Sequence, residues 1–155
     1  MNLRLLRKRN RCLAVLMASL FCGHLNAASN WEKQSDCSLL SVAKSISDGY
    51  QNTPIQLRLD DSDLKVLTKS NIDISQPATG LSVDGGELIA AKRLENDTDL
   101  VFTENISQIT EMFIAGNSAE VRLHFWPTWP DTGQKTVRFS LHGFTRAYRN
   151  KQECH

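Results

Sequence analysis

At 155 residues, with eighteen Lys and Arg against seventeen Asp and Glu, the chain carries a formal charge of +1 that by itself selects no charged partner. Five of the basic residues, Arg4, Arg7, Lys8, Arg9 and Arg11, crowd the N-terminus with no acid among them, so residues 29–155 hold thirteen basic against seventeen acidic groups, near −4. That balance lacks the footprint nucleic-acid binding needs, and the 127 residues left when 28 are taken from 155 suffice for one core but not two.

The basic run meets an apolar stretch from Cys12 to Leu25 and small residues at Ala27 and Ala28. These are the parts of a secretory signal peptide, expected over 1–28 and cleaved near Ala27 or Ala28; the stretch is short for a bilayer span, which is the alternative. An exported location follows, with a single β-rich domain over 29–155. Cys12 and Cys22 leave with the leader, and Cys37 and Cys154 remain. In an oxidising compartment that pair is expected as a disulfide tying the tail to the first segment; a reactive or metal-binding thiol pair is the competing reading, without C-x-x-C spacing to support it.

Past Trp31, Cys37, Leu39, Leu40, Val42, Ala43 and Ile46 fit a strand or a short helix, with a strand favoured. Ile55, Leu57 and Leu59, then Leu64, Val66 and Thr68, then Ile72 and Ile74 alternate at period two, predicting a meander of three strands. Leu81 and Val83 lead into Asp84-Gly85-Gly86, a tight-hairpin signal, and Leu88–Ala91 and Leu100–Phe102 supply two more strands joined by a polar connection at 95–99. Ile106, Ile109, Met112 and Phe113 recur at three and four, predicting a helix over about 106–116 that stops at Gly116 and packs across a sheet edge or barrel end, with Met112 and Phe113 in the core. A short C-terminal helix is expected from Thr145 to Asn150. The fold class is mainly β: an antiparallel β-sandwich or partly open barrel with these two helices.

Between the helices, Val121, Leu123 and Phe125 alternate with Glu120, Arg122 and His124, and Val137, Phe139 and Leu141 alternate with Arg138, Ser140 and His142. This is an antiparallel hairpin whose loop carries Trp126, Pro127, Trp129 and Pro130, with turn chemistry in Asp131, Thr132 and Gly133.

Ile109, Met112, Gly116, Ala119, Val121 and Leu123, followed by Phe139-Ser140-Leu141-His142-Gly143-Phe144-Thr145-Arg146-Ala147-Tyr148, resemble the C-terminal half of the invasion-associated locus B family. The resemblance implies an exported β-sandwich of a Gram-negative envelope, periplasmic or secreted, linked in some pathogens to host-cell invasion and without established catalytic residues. The internal cysteine pairs usual in that family are missing here, and its hairpin lacks the Trp-Pro-Thr-Trp-Pro loop.

Chemical motifs are few. Gly-x-Ser-x-Gly, a P-loop, Gly-x-Gly-x-x-Gly and His-Glu-x-x-His are absent, and no cofactor is implied. Asp60, Asp61 and Asp63 resemble the start of a calcium loop, but Val66 and Ile72 stand where its Gly and Glu belong, which leaves an acidic turn. The two sequons, at Asn96 and Asn105, carry no meaning in a periplasm. His124 and His142 share the polar parity of the hairpin, so they are expected as cross-strand neighbours on its exposed face. With Glu120 or Asp131 they would serve a small hydrolase or metal-dependent enzyme.

The favoured reading is a non-enzymatic binding or accessory factor. Two prolines stiffen the loop and lower the entropy cost of presenting two indoles, each a large contact area with one N–H donor. The partner would be an envelope protein, a glycan or a lipid headgroup. Edge strands of a small sandwich can pair with a second copy, so the expected state is a monomer or a weak dimer.

Overall fold

Period-two alternation becomes β-structure along most of the chain. The computed structural model describes residues 28–154, so all but the last residue of the expected leader lies outside the described residues. One antiparallel sheet runs in the spatial order β1 (Trp31–Lys33), β2 (Leu39–Ser41), β4 (Asn52–Leu59), β5 (Leu64–Leu67), β9 (Asp99–Phe102), β8 (Arg93–Glu95), with β3 (Lys44–Ser47) also paired to β4. The second has the order β11 (Lys135–Ser140), β10 (Ser118–Leu123), β6 (Gly80–Val83), β7 (Ile89–Ala90). Neither closes into a barrel, so the arrangement is sandwich-like. Its core draws Ile55, Leu57, Leu64, Val66 and Leu100 from the first sheet and Leu81, Val121, Leu123 and Phe139 from the second, all at most 1 % exposed.

The helices are α1 (Ile106–Ala115), a single turn α2 (Trp129–Thr132) and α3 (Phe144–Gln152). α1 buries Ile109 and Phe113 as its spacing requires, and Asn105 caps it in a left-handed conformation without a side-chain hydrogen bond. α3 extends the expected Thr145–Asn150 segment at both ends.

Three local expectations are corrected. Ile72 and Ile74 form no strand: residues 71–73 make one isolated bridge, Ile72 to Phe125, and otherwise bond to loops. Two alternating apolar residues are too few to sustain a ladder. The polar connection at 95–99 shrinks to a turn at 96–98, because Asn96 and Asp97 take positive φ (52° and 60°) and let Arg93–Glu95 fold back onto β9 as a strand. Asp131 and Thr132 belong to α2, while Gly133 ends that turn at φ 67°.

The connections divide between two ends. At one end, α1 and α3 meet β1 through Trp31, Phe113 and Phe144, whose rings pack edge to face at centroid distances of 4.9–5.9 Å. The Trp31 indole N–H donates to Ser140 O at 3.0 Å, on the outer edge of β11. Gly143 (φ 86°) opens α3 against Ser29, so close that a Cβ there would lie 2.1 Å from Ser29 Oγ. Lys151, 4 % exposed, pairs with Asp61, and a Cys37–Cys154 disulfide fastens the tail as expected, closing a separation of 117 residues. The other end gathers the β3–β4 turn, residues 68–73, the 96–98 turn and the hairpin loop.

Candidate functional site

β10 and β11 pair in the register Ser118 to Ser140 through Leu123 to Lys135, which projects the loop from the end away from α3. The chain leaves the sheet at His124, and Phe125 turns back into the core at 1 % exposure. Trp126 then stands 56 % exposed beside exposed Pro127 and, further on, Pro130; the Trp126–Pro127 peptide is cis.

Backbone bonds from three segments hold this surface. Trp126 N–H donates to Asn71 O at 2.9 Å, Ile72 N–H to Asp97 O at 2.9 Å, and Asp73 N–H to His124 O at 2.8 Å. On the other flank, buried Thr128 donates its hydroxyl to Asp48 O and lies over Gly49, whose φ is 104° and whose Cβ position falls 2.7 Å from Thr128 Cβ. Tyr50, 79 % exposed, rides on the same turn. Asp48 is itself buried. Burial alone would raise its pKa, but the Ser70 hydroxyl and the Gln51 and Tyr50 N–H groups outweigh that and hold it below the ordinary carboxylate value.

The two indoles part company. Trp129, half-buried, packs edge to face on His124 at 5.8 Å. Its Nε1 is buried without a full hydrogen bond; its weak attraction for Asp73 adds least to lowering that carboxyl, which Ser75 mainly stabilises. Trp126 alone is presented. Together with Asn71, Ile72, Asp73 and Asp97 it lines an open depression of 490 Å³.

The histidine pair is overturned. His124 is 8 % exposed, with Nδ1 2.8 Å from Thr79 Oγ1, because residues 73–79 cover the face that strand parity assigned to solvent. Burial lowers its pKa, with Asp73 pulling weakly the other way. His142 is exposed beyond the opposite end of β11. The register would set it against Gly116, eight residues from His124 and roughly 26 Å along the strand. Glu120, proposed as a third member, is engaged by Arg122 and Arg138, both at 3.2 Å.

Asp60, Asp61 and Asp63 each face a cation, in Arg58, Lys151 and Lys65, as an acidic turn would. Among the described residues no group of three or more His, Cys, Asp or Glu is placed to share a metal ion. No described helix is long and apolar enough to cross a membrane. Tyr50, Asn71, Asp73 and Asp97 escaped the sequence analysis, since their only signal is turn-forming composition; what joins them to Trp126 is sheet topology. Compared with known proteins, the chain matches no family model, no curated protein and no solved structure.

Proposed function

We propose that this chain is an exported, non-enzymatic binding protein of a bacterial envelope, an accessory factor whose contact surface is the loop end of the sandwich. The observation that carries the proposal is Trp126: a large indole left 56 % exposed on a segment fixed by hydrogen bonds and prolines. An apolar side chain so displayed costs solubility and contributes nothing to the core, whereas on a rigid loop it binds a partner with little ordering cost. The resemblance to the invasion-associated locus B family and the N-terminal basic-apolar pattern support an envelope setting, and with it a role at the host-cell or envelope surface.

The test is a pull-down from envelope extracts with oxidised protein, wild type beside Trp126→Ala, once circular dichroism shows both folded. The proposal expects a component retained by wild type and lost by the variant. Recovery of the same components by both, or of none, overturns it.

A further inference from the structure

The depression beside Trp126 has a lining that specifies a ligand class. Its floor is residues 71–73, and each of the three is tied by a backbone bond to a different neighbour: Trp126, Asp97 and His124. The floor is therefore set before any ligand arrives. The exposed Trp126 indole supplies an apolar wall. Asn71 and Asp97 are exposed and make no side-chain hydrogen bond among the described residues, although Asn71 O and Asp97 O are both used by the backbone. Asp73 gives one carboxylate oxygen to Ser75, at 2.6 and 2.9 Å, and its carboxyl is drawn more weakly to the Gln76 and Trp129 side chains. An aromatic face thus adjoins two carboxylates and an amide, with the unused acceptors on Asn71 and Asp97, in an open space of 490 Å³.

We infer that this depression is a binding site for a neutral saccharide, one pyranose ring stacking on Trp126 while its hydroxyls hydrogen-bond Asn71, Asp73 and Asp97. The ring's C–H face carries partial positive charge and suits the negative face of an indole. Sugar hydroxyls are paired donors and acceptors, matched by a carboxylate, which only accepts, and an amide, which does both. A charge-assisted bond to a carboxylate is about twice as strong as a neutral one. The volume falls within the roughly 300–1,000 Å³ of small-ligand sites. Among the described residues no Lys or Arg lines the depression, and two carboxylates repel phosphate, sulfate and uronate groups. A single indole is not the multi-walled aromatic cage that holds a quaternary ammonium.

This inference rests on the binding function proposed above, and the experiment separates the two. The chain, expressed with its own N-terminal segment and purified oxidised, is titrated calorimetrically with chitotriose, cellotriose, maltotriose and mannotriose, with trigalacturonate and choline as charged probes. At least one neutral trisaccharide binds. Trp126→Ala weakens that binding by about tenfold or more, Trp126→Phe keeps it within about threefold, and Asn71→Ala and Asp97→Ala each weaken it by about fivefold. Absence of binding by all four neutral probes overturns the saccharide site, as does preference for a charged probe or binding that survives Trp126→Ala. If the envelope pull-down still captures a component through Trp126 in that case, the binding function stands without the saccharide. If it captures none, both fall.

Discussion

Replacing Thr128 by Val changes little in volume but removes the hydroxyl that joins the hairpin loop to the β3–β4 turn. That hydroxyl donates to Asp48 O and lies 3.3 Å from Phe125 O, in a residue 8 % exposed. Asp48 is 6 % exposed, so its carbonyl would be left without a donor and without ready access to water. A buried acceptor stranded in this way costs about 1–3 kcal/mol, offset only in part by the added methyl. With a urea dependence of about 1–3 kcal/mol per molar, a loss of about 2 kcal/mol moves the unfolding midpoint down by about 1 M. The assay is urea denaturation followed by far-ultraviolet circular dichroism and by tryptophan fluorescence. Thr128→Ser, which keeps the donor, serves as the control and should lose less than half as much. Equal midpoints for Val and wild type, with unchanged hydrogen exchange at Trp126 and Gln51, would refute the coupling between these two segments.

Two further predictions concern the frame around the site. Breaking the Cys37–Cys154 bond by paired Cys→Ser substitution releases a loop spanning 117 residues, for which chain entropy sets a ceiling of about 4.9 kcal/mol; a urea series should return about 2–5 kcal/mol, and a loss under about 1 kcal/mol would contradict the account. Because burial lowers the His124 pKa from its ordinary 6.5, the folded state resists protonation there: its contribution is complete above about pH 6.5 and is lost as pH falls towards the lower folded value. Melting temperatures should therefore drop as the pH falls below about 6.5 in wild type, and His124→Gln, which cannot titrate, should flatten that slope.

Where the pattern was strong, sequence and structure agree. Ile55, Leu57 and Leu59 alternate and become the buried face of β4, and Ile109 and Phe113 recur at four and become the buried stripe of α1. The Cys37–Cys154 pairing was also legible, since two cysteines admit one internal bond. The misplaced histidine shows why parity alone misleads at a strand end. His124 occupies a polar position of the alternation, yet the segment from Asp73 to Thr79 crosses over that face, and no local pattern announces a crossing made 45 residues earlier in the chain. Trp126 and Trp129 were legible as a pair but not separable, because α2 begins at Trp129 and rotates its ring onto His124. The carboxylates and the amide beside Trp126 were hidden for the same topological reason. Asn71, Asp73 and Asp97 read as turn residues, and only the bonds from 71–73 to Trp126, His124 and Asp97 gather them.

The covalent tie between Cys37 and Cys154 also decides how the domain bears tension. A pull applied at residues 28 and 154 runs through the first ten residues and then directly across the sulfurs, so the load path contains β1 and bypasses every strand from β2 to β11. Peeling β1 from β2 and drawing the Trp31 indole off Ser140 O would lengthen the chain by at most roughly 35 Å at about 3.5 Å per residue. With the sulfurs reduced, the same pull would engage all 127 described residues and run out to roughly 440 Å. Oxidation thus shields the loop end: a pull at residues 28 and 154 has no covalent path to the surface that carries Trp126.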